Sequence, residues 1–178
     1  MIYLIRHGKT EANEKHLYCG STDLSLSQAG RAELQRLHYG IKNAHFITSG
    51  MKRTEETLQI LFGDVPHSRS HAFREVDFGS FEMHSYEELK NKPEYQAWIS
   101  GDNEANIPPH GESGSQMKAR VLTAFAEVSD DTVIITHGGC IAAIMESLFP
   151  GEGKNRYEWQ PKPGCGYMLS GNTYQVIP

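Results

Sequence analysis

The sequence has 178 residues, of which 38% are hydrophobic and 22% are charged. This length and balance favour one globular domain with a full core, and they exclude a disordered chain. The formal net charge of −5 argues against general nucleic-acid binding, which depends on many lysine and arginine contacts to phosphates. No apolar run is long enough to span a membrane, and the first residues lack the basic segment of a signal peptide. We therefore expect a cytoplasmic protein.

Helical and strand patterns alternate along the chain, which favours a layered α/β fold. In chain order, we first expect a strand at 1–5 and a helix that is capped by Ser27 and has Leu34, Leu37 and Ile41 on its apolar face. A strand at 44–48, a helix from about Lys52 to Gly63 and a weaker strand at 67–73 follow. Then come an irregular segment at 82–109 with Pro93 as a break, a loop at 103–114, a helix at 115–128, a strand at 132–136, a helix through 141–148, and two closing strands near 169 and at 174–177.

Two of the predicted strands run directly into a histidine. The first leads into Arg6 and His7, and the strand at 132–136 leads into His137 and Gly138. Open α/β sheets bind ligands at the carboxyl ends of their strands, so we expect both histidines to line one pocket. In an acidic protein, such a pocket would be a local cationic site, which suits a phosphate group.

The residues available at these strand ends match the needs of phosphoryl transfer. A neutral imidazole can attack phosphorus and hold it covalently, which makes His7 the candidate nucleophile. Arginine forks match phosphate oxygens, so Arg6 and Arg53 are candidate clamps. Arg53 begins a predicted helix, where the positive end of the helix dipole disfavours a cation unless an anion is bound. Glu75 is a candidate acid for the leaving oxygen, and His137 supplies a second imidazole.

Four motifs in this order resemble those of the histidine phosphatase superfamily, also called the phosphoglycerate mutase-like family. Residues 6–13 are similar to its R-H-G-x-T-x-x-N opening, and residues 49–57 are similar to its S-P-L-x-R-x-x-x-T element. Residues 74–82 resemble its R-E-x-x-F-G-x-W-E element, and residues 136–139 resemble its late T-H-G-G. The resemblance spans nearly the whole chain. It implies one domain over 1–178, folded as a three-layer α/β/α sandwich with a mostly parallel central sheet and a variable substrate-facing insertion at about 80–113.

The resemblance also implies a mechanism and its site residues. His7 would be phosphorylated and then hydrolysed, and Glu75 would act first as acid and then as base toward water. Arg6, Arg53 and His137 would surround the phosphoryl group. Further contacts to phosphate or substrate are implied at Asn13, Thr10, Cys19, Gly20 and Gly138. The family uses no metal ion or organic cofactor in this reaction, and we expect none here.

Simpler interpretations of several residues remain open. Asn13 fits an Asx-turn as well as a phosphate contact, and Glu75 fits a salt bridge with the preceding arginine. The aromatic residues Tyr86, Tyr95 and Trp98 fit either packing or a stacking platform for a substrate. Two further expectations concern metal and thiol chemistry. His67 and His71 are not expected to bind a metal, since no third ligand stands at a suitable distance, and the three cysteines predict neither a disulfide nor a zinc site.

The sequence departs from the family pattern at several positions. Gly50 and Met51 replace the usual Pro-Leu, Phe81 replaces a tryptophan, and Met83 stands where many members have glycine. Val76 follows the candidate acid, whereas the mutases of the family have an arginine there to hold a second anionic group. We therefore expect a phosphatase rather than a phosphoglycerate mutase.

Short segments favour one branch of the family. Residues 78–83, 107–113 and 163–166, together with the region of Trp98, resemble α-ribazole phosphatases. That branch removes the 5′-phosphate of α-ribazole phosphate in cobalamin biosynthesis. We expect a small phosphorylated metabolite as substrate, no nucleic-acid or membrane partner, and a monomer or homodimer. A cofactor-dependent phosphoglycerate mutase and a non-catalytic phospholigand-binding protein are the alternatives.

Overall fold

A six-stranded sheet forms the centre of the structure, a computed structural model that describes residues 1–102 and 104–178. In chain order, the strands are β1 (Ile2–Arg6), β2 (His45–Thr48), β3 (Ser68–Arg69), β4 (Thr132–Thr136), β5 (Gly166–Ser170) and β6 (Thr173–Ile177). They lie in the order β3-β2-β4-β1-β5-β6. The first four strands of that order are parallel, whereas β5 pairs antiparallel with both β1 and β6.

Seven α-helices accompany the sheet in the described part of the chain. They are α1 (Glu11–Glu14), α2 (Gln28–Leu34), α3 (Lys52–Phe62), α4 (Tyr86–Leu89), α5 (Pro93–Ile99), α6 (Gly114–Ala126) and α7 (Gly138–Leu148). Short 3₁₀ helices occur at His71–Phe73, Gly79–Phe81 and Pro150–Glu152.

The sheet is covered by helices on both faces. Successive side chains of a strand point to opposite faces, and in β4 all five residues are buried, as expected of a parallel strand between two helical layers. Ile134 packs in a cluster with residues of α6 and α7, whereas Val133 and Ile135 pack in a cluster with Leu58 of α3. The predicted three-layer α/β/α sandwich with a mostly parallel sheet is therefore confirmed.

The strand register places the two sequence-predicted histidines side by side. β1 and β4 are adjacent and parallel, with Arg6 opposite Thr136. The next residue of each strand is a histidine, so His7 and His137 leave the sheet at the same edge.

Local capping explains where several helices begin and end. The Ser27 side chain accepts a hydrogen bond from Gly30 N–H and caps α2 as predicted. Gly63 ends α3 at a φ of +78°, in the region that favours glycine. Pro93 marks the predicted break between two helical segments, α4 and α5, and it begins α5 because proline is tolerated in the first turn, where its missing N–H costs nothing.

Three predicted boundaries were wrong. α2 ends at Leu34, so Leu37 and Ile41 do not continue its apolar face. The strand expected at 67–73 shrinks to Ser68–Arg69, because the chain then turns in a 3₁₀ helix that buries Phe73. Gly114 belongs to α6 rather than to the preceding loop, since Ser113 caps that helix. Of the predicted loop, Asn103 lies outside the described residues.

Two departures from the family pattern occupy left-handed backbone. Gly50 has a φ of +75°, which proline cannot adopt, so the turn before α3 follows a different path from a Pro-Leu turn. Met83 has a φ of +61°, a conformation that favours glycine and costs a residue with a side chain about 1–2 kcal/mol. This explains why glycine is suited to that position.

Candidate active site

His7 is held as a neutral ring with one nitrogen free of protons. It follows β1 and is buried, and its Nδ1 lies 2.7 Å from the carbonyl oxygen of Gly8. A carbonyl only accepts hydrogen bonds, so Nδ1 carries the proton and Nε2 keeps its lone pair. Burial lowers the pKa of His7 well below its usual value, and the charges of Arg53 and Arg6 lower it further. Near pH 7, this imidazole is therefore a competent nucleophile.

Arg53 lies in the first turn of α3, almost completely buried, with its guanidinium surrounded by neutral acceptors. Its Nη1 and Nη2 donate to the carbonyl oxygens of Thr22 (2.8 Å) and Gly20 (2.7 Å), and its Nε donates to Nδ1 of His137 (3.3 Å). Among the described residues, no carboxylate lies within 4.0 Å of this guanidinium. A buried cation without a counter-ion is costly, so the position favours an anionic ligand.

His137 is fully buried and sits in a directional chain of hydrogen bonds. Since Arg53 Nε can only donate, Nδ1 of His137 accepts. The proton of the ring is therefore on Nε2, which donates a hydrogen bond to Ser49 Oγ at 2.9 Å. Ser49 Oγ in turn lies 3.0 Å from Thr54 Oγ1, which donates to the carbonyl of Met51. Burial lowers the pKa of His137 well below its usual value, and Arg53 adds to this effect. The ring centroid lies 5.0 Å from that of His7.

Arg6 carries a buried donor without an acceptor. Its Nη1 donates to the carbonyl of Pro161 at 2.9 Å. Its Nε is buried and has no hydrogen-bond partner, alone among the buried side-chain nitrogen and oxygen atoms of the described chain. A buried donor that makes no hydrogen bond costs about 1–3 kcal/mol. An anion bound beside Arg6 would remove this cost, so the orphaned N–H marks a site for an acceptor oxygen.

Glu75 is fixed by two backbone amides. One carboxylate oxygen accepts from Gly139 N–H (2.9 Å) and the other accepts from Val76 N–H (3.0 Å). Gly139 lies in the first turn of α7, whose positive dipole end favours a carboxylate. A Cβ at Gly139 would stand 2.3 Å from Glu75 Oε1, so only glycine permits this approach. Within the described chain, Glu75 forms no salt bridge with Arg74, whose Nε donates to the carbonyl of Ser49 instead.

Arg120 of α6 holds the backbone around Glu75. Its two Nη groups donate to the carbonyl oxygens of Ala72, Arg74 and Glu75 at 2.7–3.0 Å. It also forms a two-point ion pair with Glu112, with both distances at 2.7 Å. Sequence reasoning missed Arg120, because nothing in its local pattern distinguishes it from an exposed helical arginine.

The structure separates the predicted roles of Thr10 and Asn13. Thr10 is the N-cap of α1, and its backbone N–H and hydroxyl donate to Asn13 Oδ1 while its oxygen accepts from Asn13 N–H. The side-chain oxygen of Asn13 is therefore occupied by hydrogen bonds of the capping box, and its side-chain NH₂ group is left as a donor. Asn13 lines the cleft described below and Thr10 does not.

The remaining predicted contacts lie around the same group of side chains. Cys19 lines the cleft, and the Gly20 carbonyl is an acceptor for Arg53. Gly138 begins α7, and a Cβ there would meet Gln160 Oε1 at 2.7 Å and Arg6 Cζ at 3.2 Å. Glycine at 138 thus lets the helix end approach Arg6 closely.

A cleft of about 310 Å³ has Arg6 and Glu75 in its lining, whereas the buried side chains of His7, Arg53 and His137 do not line it. The two histidines were expected to line one pocket; they lie side by side, but neither lines this cleft. It is lined by Arg6, Asn13, Leu17, Tyr18, Cys19, Glu75, Val76, Phe78, Trp98, Ile99, Glu112, Gly114, Gly139, Arg156, Tyr157 and Gln160. Tyr18, Phe78 and Trp98 form one aromatic wall, with ring centroids 5.1–6.0 Å apart. Tyr95 is buried behind that wall and Tyr86 is exposed outside it. Only Trp98 of the three aromatic residues considered from sequence faces the cleft.

The described residues contain neither a metal-binding cluster nor a membrane-spanning helix. No group of three or more histidine, cysteine, aspartate or glutamate side chains is arranged to hold a metal ion in the described part of the chain. None of the helices there is both long and apolar enough to cross a bilayer.

Several known proteins are similar to this chain in sequence. "Phosphoglycerate mutase-like protein 4" of Arabidopsis thaliana is 32% identical over 163 residues, covering 84% of this chain and 71% of the relative. The adenosylcobalamin/alpha-ribazole phosphatase of Salmonella typhimurium is 27% identical, covering 92% of this chain and 87% of the relative.

Solved structures show the same fold. A structure from Escherichia coli, named as a proposed alpha-ribazole-5′-P phosphatase, superposes with a TM-score of 0.84 at 24% identity, covering 98% of this chain and 93% of the other. A phosphoglycerate mutase from Thermus thermophilus superposes at 0.78 with 26% identity, covering 99% and 96%. The family model of the histidine phosphatase superfamily (branch 1) matches residues 2–174. These matches confirm the resemblance and the enzyme class predicted from the sequence: the chain belongs to the histidine phosphatase superfamily, branch 1.

Proposed function

We propose that this protein is a metal-independent phosphomonoester hydrolase that works through a phosphohistidine on His7. The observation that carries the proposal is the unprotonated Nε2 of His7, in a neutral ring that lies within the electrostatic reach of Arg53 and Arg6, with its centroid 5.0 Å from that of a second buried imidazole. Phosphoryl transfer needs placement, charge neutralisation and a nucleophile, and this set of groups provides all three. Arg6, Arg53 and His137 would surround the phosphoryl group.

In the first step, the lone pair of His7 Nε2 attacks phosphorus. The ester P–O bond breaks, its electron pair leaves with the oxygen, and the Glu75 carboxyl donates a proton to that oxygen. The phosphorylated ring gains positive charge, which the hydrogen bond from Nδ1–H to the Gly8 carbonyl at 2.7 Å stabilises. The products are a phosphohistidine and a free alcohol.

In the second step, the Glu75 carboxylate takes a proton from water as that water attacks phosphorus. The P–N bond breaks and its electron pair returns to Nε2 of His7, which regenerates the neutral ring. Inorganic phosphate then leaves the two arginines. Asn13, through its amide NH₂, is the proposed additional donor to the phosphoryl group.

The proposed substrate is α-ribazole 5′-phosphate or another small phosphorylated metabolite with an aromatic leaving group. Support comes from the wall of Tyr18, Phe78 and Trp98. Aromatic rings prefer offset or edge contacts with one another, and this wall offers such contacts to an aromatic leaving group. The relatives named alpha-ribazole phosphatases agree with this proposal. Trp98 and Glu112 line the cleft, which supports a substrate-facing role for the segment at about 80–113.

A phosphoglycerate mutase is the second candidate, because a relative of that name from Beijerinckia indica is 29% identical over 166 residues. A mutase must hold a second anionic group of its substrate. Beyond the proposed phosphate site, Arg156 pairs with Glu104 and Arg120 pairs with Glu112, and Val76 stands beside the acid. Those pairings favour the hydrolase.

Turnover of p-nitrophenyl phosphate with a chelator present tests the reaction class. We expect the wild-type rate to be unchanged by the chelator, His7→Ala to be inactive, and Arg53→Met to lose on the order of 10²–10³ in rate, by analogy with the loss of one oxyanion donor. His38→Ala, an exposed histidine outside the cleft, is the control that should keep full activity. Loss of turnover with chelator, or an active His7→Ala variant, would refute the proposal.

A substrate panel separates the two candidates. We expect α-ribazole 5′-phosphate to be hydrolysed with a higher kcat/KM than 3-phosphoglycerate. Clear isomerisation of 3-phosphoglycerate in the presence of 2,3-bisphosphoglycerate would favour the mutase instead.

A further inference from the structure

Glu82 is a carboxylate that is bound by backbone amides rather than by a cation. Its Oε1 accepts from the N–H groups of Gly20 (2.9 Å), Ser21 (2.9 Å) and Phe78 (3.0 Å). Its Oε2 accepts from Gly20 N–H (3.1 Å), Thr22 N–H (3.2 Å) and the Thr22 hydroxyl (2.7 Å). The described residues place no lysine, arginine or histidine within salt-bridge distance of it. The carboxylate therefore accepts from the backbone N–H groups of all three residues from 20 to 22.

The same three residues present their carbonyl groups to Arg53. In a short turn, amides that converge on one side leave carbonyl oxygens directed to the other side. Gly20 and Thr22 donate their N–H groups to Glu82 and accept from Arg53 Nη2 (2.7 Å) and Nη1 (2.8 Å) through their carbonyl groups. The segment 20–22 is thus a two-sided bridge between a carboxylate and a buried guanidinium.

Close packing around the bridge requires a residue without a side chain at position 20. A Cβ on Gly20 would stand 1.6 Å from the carbonyl oxygen of Val76 and 3.0 Å from Glu82 Oε1. Position 20 therefore requires glycine, which by itself leaves the backbone conformationally free. The hydrogen bonds to Glu82 are what hold that glycine in one conformation.

We infer that Glu82 is a positioning residue for the phosphate clamp, acting on Arg53 through the backbone of residues 20–22. Without the carboxylate, the amides of that bridge would turn toward other acceptors, and the two carbonyl groups would release the guanidinium. Arg53 would then no longer be held for a phosphoryl group. The inference rests on the proposed role of Arg53, but the position of Arg53 can be measured without any turnover.

A double-mutant cycle tests this role in the full-length protein. We expect Glu82→Ala to lower kcat/KM for p-nitrophenyl phosphate by about 10- to 100-fold, since a misplacement of about 1 Å can cost 10²-fold in rate. In the Arg53→Met background, the same change should lower kcat/KM by less than about threefold, because the group that Glu82 positions is already gone. Asp77→Asn is the matched control, because Asp77 contacts Ser21 Oγ and Gly79 N–H but neither Gly20 nor Thr22.

Two measurements report on Arg53 independently of activity. In ¹⁵N NMR spectra, the Nε–H signal of Arg53, assigned with Arg53→Met, should be sharp in the wild-type and Asp77→Asn proteins and broadened or shifted in Glu82→Ala. Calorimetric titration with inorganic phosphate should show weaker binding in Glu82→Ala than in Asp77→Asn. A wild-type protein without turnover would refute the proposed function, while these two readings would still test the role of Glu82.

Three outcomes would overturn the inference. The first is an equal loss from Glu82→Ala in the wild-type and Arg53→Met backgrounds, which would indicate a general structural effect. The second is an unchanged Arg53 signal with unchanged phosphate binding. If Glu82→Ala does not fold, Glu82→Gln replaces it, because an amide oxygen can accept only part of the hydrogen bonds that the carboxylate accepts. The third outcome is a Glu82→Gln protein whose kcat/KM, Arg53 signal and phosphate binding all equal those of the wild type.

Discussion

At the scale of single residues, protonation decides the chemistry of this site. His7 and His137 are both buried beside arginine, and their hydrogen-bond partners set different tautomers. Gly8 accepts from Nδ1 of His7, whereas Arg53 donates to Nδ1 of His137. One ring therefore keeps a free lone pair on Nε2, and the other donates from Nε2 to Ser49.

The depressed pKa values of these two rings predict a pH dependence. Burial, followed by the charge of Arg53, lowers the pKa of both His7 and His137 well below 6.5. In NMR titrations, with signals assigned from His7→Ala and His137→Ala, we expect both rings to stay neutral at pH values where free histidine is half protonated. Titration midpoints near 6.5 would contradict the geometry of the site.

The same shift affects stability in a direction that can be worked out. Below pH 6.5 the unfolded chain binds protons on these two residues and the native state does not. The unfolded state then binds more protons, so these rings make the free energy of unfolding decrease as the pH falls below 6.5. Above pH 6.5 both states are neutral, and this contribution is constant.

At the scale of elements, the turn from β2 into α3 is joined to β3 by one carboxylate. Glu55 of α3 accepts from Arg69 of β3 at 2.7 and 3.1 Å, from His67 at 3.0 Å, and from the hydroxyl of Thr48 in β2. These contacts connect a two-residue edge strand to the helix that carries Arg53. The side chains of Arg69 and His67 therefore add to the two-residue ladder that joins this strand to β2.

Glu55 should make stability pH-dependent in the acid range. Burial raises the pKa of this carboxyl, but hydrogen bonds from Arg69, Thr48 and His67 outweigh burial and lower it to about 2. The ionised Glu55 carboxylate therefore stabilises the native state fully above the ordinary pKa of 4.5, and this contribution is lost as the pH falls through about 2. We expect Glu55→Gln to lower Tm by roughly 2–4 °C at pH 7, with the difference from wild type shrinking between pH 4.5 and 2.

Thermal unfolding monitored by circular dichroism checks this expectation. Glu11→Gln is the control, since Glu11 pairs with Lys15 on an exposed helix and such pairs contribute little. A Glu55→Gln protein whose Tm difference from wild type is the same at pH 7 and pH 3 would contradict the account.

At the scale of the whole molecule, the cleft combines a charged end with an aromatic wall. Arg6, Asn13 and Glu75 line one part, and Tyr18, Phe78 and Trp98 line another. These residues come from separate segments of the chain that the sheet and its loops bring together. In the proposed function, Arg6 and Asn13 would face the phosphate of a substrate and the aromatic wall would contact its leaving group.

Removal of Trp98 should affect substrates according to their leaving groups. We expect Trp98→Ala to raise KM for α-ribazole 5′-phosphate by about one order of magnitude, because stacking on an aromatic side chain contributes about 1–3 kcal/mol. KM for glycerol 3-phosphate should change less, and Trp98→Phe should restore much of the loss. Equal changes in KM for both substrates would show that Trp98 acts only through packing. Trp98 contacts Phe81 and Tyr95, so a packing role would also appear as a change in Tm.

Local pattern was enough to predict the strands that end in His7 and His137, the α/β class and the family. Strand periodicity, capping residues and motif spacing are properties of neighbouring residues, so they can be read from the sequence alone. They could not predict the end of α2, where Arg36 and Leu37 donate to the carbonyl groups three residues earlier and the chain turns, or the short edge strand β3.

The supports of the site depend on residues far apart in sequence. Glu82 binds the amides of residues 20–22, about 60 positions earlier, and Arg120 binds the carbonyl of Glu75, 45 positions earlier. Their carboxylate and guanidinium groups look like ordinary surface charges until the fold brings an unpaired backbone next to them. The sequence by itself determined which groups are candidates for the chemistry, and only the tertiary structure decided how each is held, because buried polar atoms must find partners wherever the packed chain places them.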